Sequence, residues 1–356
     1  METIHINLGA DSYDVVIEDN VIDKAGSYIS ELTHAGRVMV ITEDGIDSLY
    51  GGALKSSLEK AGIETQVVVV PATDKSKNLN VINSVYGALA GFHISGNDTL
   101  VALGGRVVGD ITGFAAATWH RGTPYVQMPT SVLSQIGSSI GGKISIDTSA
   151  GNNLVGMFYQ PRAVYIDPTM ARTLPRRYFH NGLGEAVKLG AAADKDLFEV
   201  FEKAASDREL LRMLPEILRH CAAIKAHFVE LDPKDQGARR ILDLGHTIGH
   251  AIERYYRYDD TEITHGEATA LGMYLITRRS EILGLTKQGT ADRLSYVLKS
   301  IGLPTEAGVS SDKLSPYIRL DKRIKGDRIE IALLKEIGEG FIHSVPMKDV
   351  EKYIQF

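Results

Sequence analysis

The first half of the chain alternates between two periodicities, and no other feature narrows its fold so far. Short runs rich in β-branched residues recur at 37–44 (RVMVITED), 64–72 (ETQVVVVPA), 98–105 (DTLVALGG) and 124–131 (PYVQMPTS). Between them lie stretches with helical spacing, LYGGALKSSLEKAG and NVINSVYGALAGFHIS. Parallel strands need long crossovers and helices supply them, so the alternation predicts a parallel sheet covered on both faces. The opening IHINL and YDVVI read as a hairpin-type addition at one edge. From about Tyr178 the texture changes to successive helical patterns: GLGEAVKLGAAADKDLFEVFEKAAS, LLRMLPEILRHCAAIKAHFVELD, ILDLGHTIGHAIE and EATALGMYLITRRSEILG. A late strand-like piece, RIEIALLKEIGEGFIHSV, interrupts them. The expectation is an α/β domain over 1–177 and an α-helical domain over 178–356.

Composition removes several classes. With 44% hydrophobic and 24% charged residues, the 356-residue chain has ordinary globular makeup and enough length for a large core. A net charge of −6 gives no electrostatic footprint for nucleic acid. No run approaches the roughly 20 apolar residues of a membrane span. METIHINLGADSYDV lacks the apolar centre of a signal peptide. The single cysteine, Cys221, forbids an internal disulfide framework and fits a reducing cytoplasm, the expected compartment.

Chemistry concentrates in three stretches. In residues 241–253, ILDLGHTIGHAIE, the apolar spacing predicts a helix throughout, with His246 and His250 four apart on one face. His265 follows nineteen residues after His246, inside THGEA. Two histidines on one helix and a third on the next form a metal arrangement once a carboxylate or water completes the shell. The same spacing equally serves one core and two surface histidines. VALGGRVVGDITGFAAAT reads as a strand, a glycine turn and a helix, whose N-terminus favours anions. The glycines follow GG-R-V-V-G-D rather than GxGxxG, and a Gly-Gly strand exit is common without a ligand. SSIGGKISIDTSAGNNLVGMFYQP carries a second glycine turn around Lys143 and Asn153, suited to an anion pocket or to a plain loop with a solvated lysine.

Taken in order, GGxVVGDxxGFAAA, RG, P-T-[TS]-x-L, SSxGGK, N-L-V-G-x-F-Y-Q-P, GLxExxK and LGHTxGHAIE…HGE resemble the 3-dehydroquinate synthase family, within the sugar-phosphate cyclases. The resemblance spans about residues 37 to 345. It implies a Rossmann-like dinucleotide-binding α/β domain, an α-helical metal-binding domain, NAD, Zn2+ or Co2+, a small sugar phosphate substrate and a homodimer. It implies metal ligands at Glu185, His246 and His265, and a substrate-contacting histidine at His250. Lys143, Asn153, Lys188, Lys225, Arg239 and Lys335 match substrate positions, and Arg121 matches an arginine supplied by the neighbouring subunit. Asp74, Lys77, Gly104, Gly105, Arg106, Asp110, Thr130, Ser131, Asn152 and Asn153 match the NAD-contact region. The implied reaction turns a seven-carbon keto-acid sugar phosphate into a carbocycle with loss of phosphate. Cations are needed at both its phosphate and its carboxylate.

Several positions depart from the family pattern. Arg106 stands where the family has a third glycine, where a side chain would crowd a pyrophosphate. Gly137 replaces an aspartate, Asn152 a lysine, Tyr178 a glutamate and Gly45 an asparagine. Asp243 replaces an asparagine, and a carboxylate near a phosphate is expected to repel it. The same scaffold would serve a sibling cyclase of valiolone or 2-deoxy-scyllo-inosose type, a diverged paralogue with little turnover, or a metal-dependent polyol dehydrogenase. Lys225, Arg239 and Lys335 favour the dehydroquinate reaction, because its substrate carboxylate needs cations.

Overall fold

A computed structural model describes residues 1–71, 73–149, 151–258, 263–319, 321 and 323–356, apart from the side chains of Asp74, Arg257 and Tyr258. The chain divides into two compact units: Met1–Leu174 with Lys225–Glu230, and Pro175–Ile224 with Leu231–Phe356.

The first unit is built on strands β1 (Glu2–Ile6), β2 (Tyr13–Ile17), β3 (Arg37–Thr42), β4 (Glu64–Val69), β5 (Thr99–Gly104) and β6 (Tyr125–Pro129). The hairpin β7 (Lys143–Thr148) and β8 (Gly151–Phe158) follows, then β9 (Ala163–Ile166). Seven of these form one sheet in the order β1-β2-β9-β6-β5-β3-β4. It is parallel except for β1, which pairs antiparallel with β2 at the edge. Side chains alternate between its faces. Met39, Ile41, Leu100 and Ala102 pack with Ile82, Val85, Val108 and Ile111 of the helices Leu79–Gly91 and Arg106–Thr118. Val38, Val40, Val101 and Leu103 pack with Ile29, Leu54 and Leu58 from two further helices. Every residue of β5 and β6 is buried, which explains the unbroken apolar runs. Each fully buried Leu or Ile contributes about 1.5–3 kcal/mol.

The sheet winds from β3 out to β4, then returns to place β5 on the other side of β3. A crevice therefore lies outside the carboxyl ends of β3 and β5, where α/β sheets bind ligands. The stretch around Lys143 turns at Gly141 and Gly142 (φ +96° and +63°), as expected, and continues into a two-stranded hairpin pairing Ile146 with Val155. The period-two pattern in KISID accounts for this. Ile144 and Ile146 enter the core beside the helix Arg106–Thr118, while Lys143 points out.

In the second unit the helices are Arg176–Ala193, Lys195–Lys203, Asp207–Leu231 (whose residues Lys225–Glu230 belong to the first unit), His246–Tyr258, His265–Ile282, Thr290–Ser300 and Ser311–Ile318, with a short helix at the C-terminus. Strands β10 (Ile324–Lys325), β11 (Arg328–Glu336) and β12 (Glu339–Pro346) form an antiparallel sheet. Two expected helices have different bounds. The stretch expected to run unbroken to Ser206 breaks at Asp194, whose carboxylate accepts the Leu197 N–H at 3.0 Å and caps the next helix. The helix expected from Ile241 begins at His246; Ala238–Asp243 is a 3-10 stretch, and Gly245 (φ +79°) turns the chain between them. No helix among the described residues is long and apolar enough to cross a membrane.

Candidate functional site

In the second unit, glycines bring three helices close enough for their side chains to converge. A Cβ on Gly266 would overlap the Asn181 carbonyl, and one on Gly272 would overlap the Gly245 carbonyl. The helices carrying Glu185, His246 and His265 thus touch backbone to backbone beside those very residues. THGE is also a capping box: Thr264 Oγ1 accepts the Glu267 N–H, and Glu267 accepts the Thr264 N–H at 2.8 Å. His265 therefore opens its helix at a fixed angle.

One ligand atom each from Glu185, His246 and His265 lies within 4.8 Å of the others. Glu185 Oε1 is 3.9 Å from His246 Nε2 and 3.6 Å from His265 Nε2. It is buried and has no hydrogen-bond partner among the described residues. An oxygen and two imidazole nitrogens about 2 Å from a shared ion would stand roughly 3.3 Å apart. The orphaned oxygen and the donor set therefore fit a zinc or cobalt ion with coordination positions left open for substrate. Burial pushes the Glu185 carboxyl up, but the Lys188 charge and the two imidazoles outweigh it and hold it well below the usual range.

The surroundings orient these donors. Lys188 Nζ lies 2.7 Å from Glu185 Oε2 and 3.0 Å from His246 Nε2. Asp243 Oδ1 faces His246 Nδ1 at 3.1 Å, and Glu253 Oε1 faces His265 Nδ1 at 2.9 Å. Both imidazoles thus have a carboxylate behind them, the arrangement that fixes metal-ligating histidines. Burial opposes protonation of His265, yet Glu253 and Glu185 push its pKa up to about 9. His250 stacks on His246 with ring centroids 4.9 Å apart, and burial together with His246 pushes its pKa well down, leaving it neutral. The expected repulsion from Asp243 has another outcome here. Its carboxylate is engaged by His246 and by Arg323, whose Nη1 lies 3.6 Å from Asp243 Oδ2. Arg239 is buried nearby in sequence, with Nη1 3.5 Å from the Pro233 carbonyl. Lys335 is exposed on the β11–β12 hairpin, 2.5 Å from Glu339. Tyr178 is about half exposed on the helix Arg176–Ala193.

In the first unit the residues expected to meet a dinucleotide lie at the ends of β5 and β6, on the helix after β5, on the β7–β8 hairpin and at Asp74–Lys77. Gly104 and Gly105 turn the chain into the helix that begins at Arg106, and Thr130 N–H donates to the Gly104 carbonyl at 3.0 Å. A Cβ on Gly105 would meet only Ser131 Oγ, at 3.8 Å, so the turn is open to a ligand. Lys77, 1% exposed, donates to Asp110 and, at 2.6 Å, to Asn153 Oδ1. Asn153 sits at φ +55°, held by its N–H to Asp147 at 2.7 Å and by Ser145 Oγ at 2.8 Å. Burial raises the Asp110 pKa although Lys77 and Arg106 oppose it. Lys225 donates to the Gly137 carbonyl, so the backbone at that departure supplies an acceptor. Lys143 and Asn152 are exposed on the hairpin, Gly45 is exposed just beyond β3, and Arg121 is exposed at φ +65°. Asp74 begins a 3-10 turn, and its side chain lies outside the described residues.

Glu253, Asp321 and Arg323 are the residues that the sequence reading passed over. Glu253 had a signal, standing three residues after His250 on the same helix. Arg323 had none, since it reaches Asp243 across eighty positions.

The 3-dehydroquinate synthase N-terminal family matches residues 67–181, and the 3-dehydroquinate synthase C-terminal family matches residues 182–324. The chain belongs to the 3-dehydroquinate synthase family. The 3-dehydroquinate synthase of Clostridium acetobutylicum is 43% identical over 100% of this chain and 99% of its own. That of Enterococcus faecalis is 39% identical over 98% of this chain and 97% of its own. Among solved structures, 2-deoxy-scyllo-inosose synthase complexed with carbaglucose-6-phosphate, NAD+ and Co2+ shares the fold at TM-score 0.88 and 23% identity, covering 99% of both chains. The 2-epi-5-epi-valiolone synthase of Streptomyces hygroscopicus, with NAD+ and Zn2+ bound, matches at TM-score 0.86 and 25% identity, covering 96% of this chain and 95% of its own. Of the positions expected to depart from the family pattern, Gly45, Arg106, Gly137 and Asn152 lie in the first unit, and Tyr178 and Asp243 in the second.

Proposed function

We propose that the chain is a metal- and NAD-dependent 3-dehydroquinate synthase. It converts 3-deoxy-D-arabino-heptulosonate 7-phosphate to 3-dehydroquinate and phosphate, a step of aromatic amino acid biosynthesis. One observation carries the reading: Glu185, His246 and His265 converge with an orphaned oxygen between two imidazoles. The likeness to 3-dehydroquinate synthases over the whole chain supports it. NAD, when bound, supplies reversible oxidation of one substrate hydroxyl, and a zinc or cobalt ion supplies Lewis-acid polarisation of neighbouring oxygens.

The chain's own residues bind and orient. The Gly104–Gly105 turn and the helix start at Arg106 suit a pyrophosphate, with Lys77, Asp110, Thr130 and Ser131 beside that turn or on its helix. Lys143, Asn153, Lys188, Lys225, Arg239 and Lys335 are assigned to the substrate's phosphate and carboxylate. Neutral His250 can accept a proton from a substrate hydroxyl. The departing phosphate carries basic oxygens of its own, so positioning does most of what remains.

The proposed assembly is a homodimer, with Arg121 serving the partner subunit. Leu154 (59% exposed), Val155, Met157 and Phe158 form an apolar run along β8, a surface that a second copy would cover. The single buried cysteine fits a reducing compartment, the cytoplasm.

The test is phosphate release from a panel of sugar phosphates, with and without added NAD and zinc. Release from the heptulosonate phosphate alone is expected, dependent on both additions. Release from a hexose phosphate or another heptulose phosphate instead would identify a sibling cyclase, and no release from any would mark a paralogue without turnover.

A further inference from the structure

His246 is held from both sides. Lys188 Nζ lies 3.0 Å from Nε2, and an ammonium only donates, so Nε2 accepts and the ring proton sits on Nδ1. That proton faces Asp243 Oδ1 at 3.1 Å. Behind Asp243 stands Arg323, 4% exposed. Its Nε and Nη2 donate to Asp321 at 2.9 and 2.5 Å. Its Nη1 makes no hydrogen bond among the described residues and lies 3.6 Å from Asp243 Oδ2. A buried arginine clamped on one carboxylate thus presents its remaining nitrogen to the next.

We propose that Asp243 is a positioning residue for His246, fixing the Nδ1–H tautomer with Nε2 turned toward Glu185 and His265. Arg323, held by Asp321, is a counter-charge that lets a carboxylate stand at position 243. The chain Asp321–Arg323–Asp243–His246 uses a stronger acceptor than an amide would be, since an ionised acceptor makes the shorter and stronger hydrogen bond. A carboxylate behind an imidazole also raises its basicity as a ligand, and removing such a partner typically weakens metal binding about 10–100-fold.

The inference rests on the reading that Glu185, His246 and His265 hold a metal, and the experiment separates the two. In metal-free protein labelled with 15N-histidine, the His246 ring shifts report its tautomer without any ion. The Nδ1–H form is expected in the unmodified protein and in Asp243→Asn, which keeps an acceptor. A mixture of tautomers is expected in Asp243→Leu. Cobalt affinity, measured by competition with a chelator, should fall about 10–100-fold in Asp243→Leu and less in Asp243→Asn. Arg323→Met should shift the absorption spectrum of bound cobalt. Far-UV circular dichroism controls for folding in each variant. An unmodified protein with His246 in the Nε2–H form overturns the proposal, whatever happens with cobalt. An unchanged tautomer and unchanged cobalt affinity in folded Asp243→Leu overturn it as well. Failure of the unmodified protein to bind cobalt overturns the metal reading instead, while the tautomer still decides the role of Asp243.

Discussion

In the second unit, one oxygen and two ring nitrogens from three helices come within 4.8 Å of one another, each residue beside a glycine. In the first unit, the residues assigned to the dinucleotide spread over two strand ends, a helix start and a hairpin, and a turn without side chains stands at their centre. A metal shell is specified by the identity of its donor atoms, and no neighbour can replace a missing one. A backbone-lined pocket is specified by shape and charge, which several residues share. The departures follow this difference. None touches Glu185, His246 or His265 by substitution, while Arg106, Gly137, Asn152 and Gly45 all fall in the first unit. Tyr178 and Asp243 fall in the second, and Asp243 has Arg323 as its partner.

The largest effect should come from breaking the donor set. His246→Ala and His265→Ala are each expected to abolish metal retention and activity together, and Glu185→Gln to weaken metal binding. Metal content after dialysis, measured beside turnover, checks this. Full stoichiometric zinc in His246→Ala would show that the three residues are not the shell.

Next in size is the pair that braces this half. Burial pushes the Asp321 carboxyl up, but the hydrogen bonds and charge of Arg323 outweigh it and hold the pKa below its ordinary value. A carboxyl depressed in the folded state adds stability in full above its unfolded pKa of about 4, and that contribution is lost as pH falls through the depressed value. Breaking a buried pair by removing one partner costs about 3–5 kcal/mol. Asp321→Asn should therefore unfold at lower urea at pH 7, with the gap from the unmodified protein closing below about pH 4. A gap that stays constant down to pH 3 would detach Asp321 from the ionic bracing.

A smaller loss is expected from the first unit. Lys143 is exposed at the start of β7, and the proposed function sets it against the substrate's anion. Lys143→Ala should lower kcat/KM by about 2–5 kcal/mol, the cost of removing one member of a desolvated charge pair. Steady-state kinetics on a turned-over sugar phosphate decides it, and unchanged constants would remove Lys143 from the site.

The same contrast governs what the sequence disclosed. The parallel sheet was legible because β3, β4, β5 and β6 are buried, β-branched and separated by helix-period stretches. The shared face of His246 and His250 was legible because four-residue spacing places side chains on one side of a helix. The break at Asp194 and the late helix start at His246 were not, since a capping carboxylate and one left-handed glycine override an apolar pattern that runs through both. The β7–β8 hairpin was hidden by its glycines, although KISID alternates. The Arg323 partner of Asp243 was not legible, because it comes from a turn eighty residues on, and no local pattern encodes a long-range ion pair.

The smallest expected effect is also the sharpest probe of the tolerant half. Arg106 opens the helix after the Gly104–Gly105 turn, and its positive charge acts on buried Asp110 one turn further on. Two outcomes are physically distinct. The guanidinium can lie along the NAD pyrophosphate and replace close backbone approach with a charge contact, or it can fill the pyrophosphate space while its charge serves Asp110. The second is favoured, because Asp110 lies deep in the protein and burial already disfavours its charge. A cation at the first turn also opposes the helix dipole. NAD should therefore bind more weakly here than in relatives with glycine at this position. Arg106→Gly should tighten it by roughly three- to tenfold, at most about 1.4 kcal/mol. Calorimetric titration of NAD into both proteins measures this. Tight binding by the unmodified protein that is lost in Arg106→Gly would make the arginine a ligand, and would show that this half replaces a lost backbone contact with a side-chain charge.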